Sequence, residues 1–196
     1  MRKRVGVHPT EGDLLETVAT WSAAEQERAR RVLADIEREA AENTVLMPGI
    51  VDLCRALDEA SIRRSLVTRN VGKSVDLFHN RHFPLPPFHP AVARDTGGFR
   101  HKPHPDALLH CLETWGVDAH HTVMIGDSAR DDVAAGRRAG CWTVLLAPGG
   151  GDEDGSRGVR GRGIEVGTDS EPHWIARDMA EVHEILRSEF GVWGGQ

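Results

Sequence analysis

The chain has 196 residues, of which 39% are hydrophobic and 28% are charged, and its formal net charge is −6. This length allows one ordinary domain with a small appendage, and the composition is typical of a soluble globular protein. The negative charge offers no basic face for nucleic acid, and no apolar run is long enough to cross a bilayer. The three cysteines, Cys54, Cys111 and Cys141, lie far apart in the sequence and lack metal-binding spacing. We therefore expect them to be core residues of a protein in a reducing compartment. The default location is therefore intracellular and cytoplasmic, with an organelle left open.

The N-terminal part of the chain predicts helices. Residues 13–42 have helical character, and Ser22 and Glu25 have the spacing of a capping box. Four apolar residues recur at helical spacing and predict a buried stripe: Val32, Leu33, Ile36 and Ala40.

The remainder of the chain alternates between short β-rich runs and helical patterns. Strands are predicted at 63–68, 122–126, 142–147 and 173–176, and helices at 50–57, 70–80, 106–116, 131–139 and 179–190. Such alternation favours a parallel sheet with helices on both faces. Residues 149–171 are rich in glycine and poor in large apolar groups, which predicts a flexible surface loop.

Three polar clusters fall at or near the carboxyl ends of the predicted strands, where open parallel sheets bind ligands. Residues 68–70 (TRN) end the first strand, residues 102–106 (KPHPD) precede a helix, and Asp127, Asp131 and Asp132 follow the strand "TVMIG". Carboxylate oxygens suit Mg²⁺, which keeps several water and substrate oxygens as further ligands. Ammonium and hydroxyl groups, together with backbone N–H groups at a helix start, suit a phosphate. The pattern predicts a site for a phosphate and a divalent cation.

The order "SLVTRN … KPHPD … VMIGDSARDDVAAGRRAG" resembles motifs II, III and IV of the haloacid dehalogenase (HAD) superfamily, in its phosphoglycolate-phosphatase-like form. The resemblance covers about residues 45–147, and the GDSxxD–AGxxAG run is its most specific part. It implies an α/β fold, a Rossmann-like three-layer parallel sheet with a small helical cap. Residues 1–45 would be the remainder of the cap, and residues 46–196 the core. The implied activity is Mg²⁺-dependent hydrolysis of a small phosphorylated metabolite through an aspartyl-phosphate.

The resemblance also implies a role for individual residues. Thr68 would be the phosphate-binding hydroxyl of motif II, and Lys102 would neutralise both the phosphate and the nucleophile. Asp127 and Asp131 would hold Mg²⁺, and Asn70 would add a phosphate or substrate contact.

The residues taken alone leave plainer interpretations open. Thr68 could be a helix cap and Lys102 a solvated surface charge. The acids could complement the N-terminus of the helix that they open, which is the role assigned here to Asp132. Four histidines lie at loop positions that give little reason to expect a metal site: His101, His104, His120 and His121.

Motif I of the family, an apolar strand ending in DxDxT or DxDxV, is not found in the sequence. The nearest stretch is "DLLET" at 13–17, where Leu15 replaces the second acid and the preceding Pro9 and Gly12 rule out a buried strand. In the family's sheet this strand lies between the strands that carry motifs II and IV. Without it, the facing edges of those two strands would be left unpaired. We therefore expect Met1 to be an internal methionine of a longer protein. We also expect this polypeptide, without the attacking carboxylate, to show no phosphatase activity.

Two alternative functions remain open at this stage. One is a non-catalytic HAD-like protein that binds phosphate and Mg²⁺. The other is an unrelated doubly wound domain of flavodoxin or receiver type, although receivers place their acids after the first strand. The leading interpretation predicts a small phosphorylated metabolite as partner, with neither nucleic acid nor membrane, and makes no prediction of oligomeric state.

Overall fold

The computed structural model describes residues 14–148 and 167–193. Its α-helices are α1 (Leu14–Ala19), α2 (Ala23–Glu42), α3 (Ile50–Glu59), α4 (Gly72–Leu77), α5 (Asp106–Trp115), α6 (Ala134–Ala139) and α7 (Met179–Phe190). Its strands are β1 (Leu66–Val67), β2 (Ala91–Val92), β3 (Val123–Gly126), β4 (Trp142–Leu146) and β5 (Trp174–Ala176). Wider π-type turns at Phe78–His82 and Ala129–Val133 continue α4 and precede α6, respectively. The predicted loop at 149–171 lies largely outside the described residues.

The strands form two parallel sheets. β1 pairs with β2, with Leu66 opposite Ala91, and the second sheet has the order β3-β4-β5. Among residues 14–148 and 167–193, no strand of the first sheet is paired with a strand of the second. β2 was not predicted, because two residues are too few to show the alternation by which a strand is recognised.

The second sheet lies in the middle of three layers. Val144 and Leu146 of β4 pack with α3 and α7, while Leu145, between them, packs with the turn at Ala129–Val133. Helices α5 and α6 share a further apolar cluster around Ala135 and Leu112. Alternate residues of a strand point to opposite faces, so this packing places helices on both sides of the sheet. The α/β, Rossmann-like three-layer prediction is confirmed.

The N-terminal helices form a small unit of their own. The predicted capping box is present, because Ser22 and Glu25 each bond the backbone N–H of the other. It begins α2 and therefore divides the predicted helix at 13–42 into α1 and α2. Val18 and Ala29 are buried beside Trp21, and α2 packs on α4, whereas Ala40 at the end of the predicted stripe is exposed. The division into a cap at 1–45 and a core at 46–196 stays a prediction.

The three cysteines are free and buried, as expected for core residues. Burial raises the pKa of each thiol, and for Cys141 to about 11. These thiols are therefore protonated and poorly reactive at neutral pH. In the part of the chain that the structure describes, no helix has the length and apolar character to span a membrane.

Candidate active site

The end of β1 carries the first polar group of the site. The N–H groups of Leu66 and Thr68 donate to the carbonyls of Pro90 and Val92, at 3.1 and 2.9 Å, on the β2 side. Val67 lies between these two donors, so its carbonyl points to the opposite edge of β1. Thr68 Oγ1 accepts the N–H of Asn70 at 3.1 Å, which leaves the hydroxyl hydrogen available to a ligand.

Lys102 reaches into the site from the segment before α5. Its ammonium donates to the Val67 carbonyl at 2.8 Å and lies 2.6 Å from Asp132 Oδ1. The two charged side chains are only 10% and 7% exposed. Lys102 is thus not the solvated surface charge of the plainer interpretation, but a buried cation that joins the end of β1 to the loop after β3.

Asp132 organises that loop. Its Oδ2 accepts the N–H groups of Asp127 and Ser128, both at 3.1 Å, while its Oδ1 faces Lys102. The loop passes so close that a Cβ on Gly126 would lie 2.4 Å from the Asp132 side chain. Assigning Asp132 only to a helix N-terminus was therefore wrong, because the carboxylate is buried and pairs directly with Lys102.

Asp127 and Asp131 have different surroundings. Asp127 is exposed at the end of β3, and among the described residues its carboxylate has no hydrogen-bond or ion-pair partner. Asp131 Oδ2 pairs with Arg69 Nη1 at 2.9 Å, and this pair is partly open to solvent. Ser128 Oγ accepts the Asp131 N–H at 3.1 Å and fixes the start of the turn. The end of the sheet therefore presents one unengaged carboxylate and one shared with a guanidinium.

This donor set fits Mg²⁺. The ion is usually held by one or two carboxylates, with water and phosphate oxygens completing its shell. Asp127 offers two unengaged oxygens, and Asp131 keeps one that Arg69 does not contact. These are the residues that would hold the ion.

A small cavity of about 10 Å³ lies beside Thr68 and Lys102. Arg69, Arg100 and His101 also line it, so its polar lining is largely cationic. The Arg100 guanidinium donates two hydrogen bonds to the Asp106 carboxylate, from Nη2 to Oδ1 at 2.8 Å and from Nε to Oδ2 at 2.9 Å. These bonds lower the pKa of Asp106 to about 2. A lining of this kind suits an anionic ligand.

The structure gathers most, but not all, of the predicted residues. Thr68, Lys102 and Asp127 converge at one end of the molecule, linked through Val67 and Asp132. Asn70 does not line the cavity; it is exposed, and its carbonyl accepts the Arg94 N–H at 2.8 Å.

Arg69 and Asp132 were not among the predicted site residues. The signal for Asp132 lay in Gly126, since a glycine at the end of a buried strand marks a place where another group approaches closely.

Comparison with known proteins identifies the family. The chain matches the haloacid dehalogenase-like hydrolase family over residues 7–140 and a second, HAD-hydrolase-like family over residues 99–182. It is 35% identical over 192 residues to a haloacid dehalogenase-like hydrolase domain-containing protein of Arabidopsis thaliana, covering 97% of this chain and 73% of that protein. It is 30% identical over 151 residues to a phosphoglycolate phosphatase of Shigella boydii, covering 76% of this chain and 56% of that enzyme.

Solved structures show the same fold. A HAD family hydrolase of Deinococcus radiodurans, with bound phosphate and sodium, superposes with a TM-score of 0.67 at 20% identity, over 97% of this chain and 81% of that one. The fold, the convergent motifs and the extent of these matches lead to one conclusion. The chain belongs to the haloacid dehalogenase-like hydrolase family.

Proposed function

We propose that this site binds a small phosphorylated metabolite together with Mg²⁺ and serves the hydrolysis of its phosphate ester. The observation that carries the proposal is the position of Lys102, a buried ammonium between the end of β1 and the loop that presents Asp127. Burying a cation is costly, and a structural ion pair does not need to lie at the carboxyl ends of two strands.

Each residue has a part in holding the phosphate. The Thr68 hydroxyl donates to one phosphate oxygen, and the Lys102 ammonium, held beside the end of β1, offsets the charge that develops during transfer. Asn70, although exposed and not part of the cavity lining, is kept as a proposed further contact to the phosphate or substrate. Asp127 and Asp131 would hold Mg²⁺, which when bound neutralises phosphate charge and orients the ester.

The attacking group in this proposal is a carboxylate that forms an aspartyl-phosphate. Its oxygen attacks phosphorus, the alcohol leaves and takes up a proton, and water then releases inorganic phosphate. Among the described residues, the only carboxylate in contact with Lys102 is Asp132, whose two oxygens are already engaged. In this proposal Asp127 and Asp131 hold Mg²⁺, so the attacking carboxylate lies outside the described residues.

We infer that a further strand supplies this carboxylate by inserting between β1 and β3. Within the described chain the two strands are not paired with each other, and the Val67 carbonyl, which faces away from β2, is satisfied by Lys102 instead of a strand N–H. An inserted strand would offer a backbone donor to Val67 and release the ammonium toward the new carboxylate. The strand is proposed for the working enzyme whether it is supplied in cis or in trans.

A second candidate function is phosphate and Mg²⁺ binding without turnover. The specific observation that favours it is the closed pairing of Lys102 with Asp132, which leaves no attacking carboxylate beside the ammonium in the part of the chain described. Thr68 and Asp127 would then serve to bind phosphate and Mg²⁺, without catalysis.

The test compares the chain as it stands with a fusion that carries an N-terminal apolar strand ending in Asp-x-Asp. Both are assayed with p-nitrophenyl phosphate and Mg²⁺, and 2-phosphoglycolate is added because one relative is named a phosphoglycolate phosphatase. A strand ending in Asn-x-Asn is the matched control, since it restores the backbone pairing without the nucleophile. The hydrolase proposal is supported if only the Asp-x-Asp fusion turns over substrate and if Asp127→Asn in that fusion abolishes the turnover. Magnesium-dependent phosphate binding without turnover in all versions supports the second candidate.

A further inference from the structure

We propose that Asp118, His120 and His121 form a second metal site, for a divalent transition-metal ion such as Zn²⁺. One ligand atom from each side chain lies within 4.8 Å of the others. All three side chains are exposed, so a fourth position is open to water. This site is separate from the phosphate site and does not depend on the proposed function.

The backbone that carries the three residues is well fixed. Asp118 precedes a single 3₁₀ turn, Ala119–His121, and its carbonyl accepts the His121 N–H at 3.0 Å. Trp142 holds the turn from β4, because its indole N–H donates to the His120 carbonyl at 3.0 Å and its backbone N–H to that of Thr122 at 3.0 Å.

Packing anchors the turn as well. Ala119 contacts the apolar cluster formed by α5 and α6. The site is therefore built on a turn tied to the sheet. The sequence had placed these histidines in a loop, and for that reason it gave little cause to expect a metal site there.

The side chains are free to turn toward an ion. None of the three forms a hydrogen bond or an ion pair in the portion of the chain that the structure covers, so binding a metal breaks no existing bond. The two imidazole rings lie with centroids 3.9 Å apart, so both reach the same small region of the surface. Two imidazoles and one carboxylate make up a donor set that Zn²⁺ commonly uses with an open fourth position.

Chemistry and distance separate this site from the one that would hold Mg²⁺. Magnesium prefers oxygen donors throughout, whereas imidazole nitrogens favour zinc, copper and nickel. The cluster precedes β3 and Asp127 follows it, so the strand holds the two about 15–20 Å apart. Occupation of one site should leave the other unaffected.

The experiment is a calorimetric titration of the purified chain with Zn²⁺ in the presence of saturating Mg²⁺. We expect one zinc ion per chain, with the affinity lowered about tenfold or more in His120→Gln/His121→Gln and lowered to a smaller extent in Asp118→Asn. The matched control, His89→Gln/His104→Gln, removes two exposed imidazoles elsewhere and should bind zinc as the parent chain does.

A second readout identifies the ligands directly. Side-chain ¹⁵N spectra should show zinc-dependent shifts for the imidazole nitrogens of His120 and His121 and for no other histidine. Far-ultraviolet circular dichroism checks that the variants are folded. Zinc binding that survives the His120/His121 replacement, or that the control replacement abolishes equally, would overturn the proposal. So would a parent chain that binds no zinc, and an unchanged affinity in Asp118→Asn would remove the carboxylate from the site.

Discussion

The Lys102 ammonium lies 2.6 Å from Asp132 Oδ1, and both side chains are almost completely buried. Through this pair, the segment before α5 is joined to the loop after β3, and the end of β1 is joined to both through the Val67 carbonyl. Three separate parts of the sequence are thus held around one point. The ammonium that the pair holds there, at the carboxyl ends of β1 and β3, is the basis of the proposed phosphate site.

Asp132 and its neighbour Asp131 should contribute very differently to stability. Asp132→Ala leaves the buried Lys102 ammonium without its counter-ion and two backbone N–H groups without partners, so we expect a loss of about 3–5 kcal/mol in the free energy of unfolding. Asp131→Ala removes a partly exposed ion pair with Arg69 and should cost about 1 kcal/mol or less. Urea unfolding of the two variants measures both losses, and equal losses would contradict the structural role of the Lys102–Asp132 pair.

Gly126 should not tolerate a side chain. A Cβ there would lie 2.4 Å from Asp132, so Gly126→Ala must push the loop away from β3 and should cost about 1–3 kcal/mol. Gly97 is the matched control, because a Cβ at that position meets nothing within 4 Å. Thermal unfolding of Gly126→Ala and Gly97→Ala gives the comparison; an unchanged midpoint for Gly126→Ala would show that the loop does not pack as described.

Arg69 should compete with Mg²⁺ for Asp131. Its guanidinium pairs with Oδ2 of that carboxylate. A partly exposed ion pair of this type contributes up to about 1 kcal/mol of interaction free energy. Arg69→Gln should therefore raise the affinity for Mg²⁺ up to about fivefold when no phosphate is present. Calorimetric titration with MgCl₂ provides the measurement, and a weaker affinity in the variant would show that Asp131 does not bind the ion.

His173 should make the stability of the fold sensitive to mild acid. Burial, with a contribution from Arg137, lowers the pKa of its imidazole from 6.5, and Nδ1 accepts the Thr143 N–H at 3.0 Å. The unfolded chain then binds a proton more readily than the folded one. The stability given by neutral His173 is therefore fully present above about pH 6.5 and is lost as pH falls below that value.

The matched variant for this prediction is His173→Asn, whose amide oxygen can accept the same N–H without titrating. Urea midpoints at about pH 7.5 and about pH 5.5 should differ less in the variant than in the parent chain. A residual dependence is expected from His79, whose pKa burial also lowers. Identical pH dependence in the two chains would contradict the assignment.

The sequence alone allowed the fold to be predicted well, and it singled out several of the side chains that meet in the candidate site. Strand–helix alternation is a long-range pattern, and it was sufficient to place β3, β4, β5 and the helices that cover them. The capping box at Ser22 was equally readable, because it depends on residues three apart.

What the sequence did not indicate depends on contacts between distant segments. Asp131 and Asp132 are neighbours of the same residue type, and only the phase of the turn after β3 decides which of them faces Lys102. β2 was missed because it consists of two residues that are recognised as a strand only through pairing with β1. The proximity of His120 and His121 to Asp118 likewise depends on a turn held in place from β4.

The most direct test of the central claim is calorimetric titration of the chain with inorganic phosphate, with and without Mg²⁺. Four chains are compared: the parent, Asp127→Asn, Thr68→Val and Thr68→Ser. We predict one phosphate per chain, bound more tightly with Mg²⁺. Asp127→Asn should remove the effect of Mg²⁺, and Thr68→Val should weaken binding about tenfold, while Thr68→Ser, which keeps the hydroxyl, should bind nearly as the parent does. Phosphate binding that is indifferent to Mg²⁺, to Asp127 and to the Thr68 hydroxyl would contradict the account.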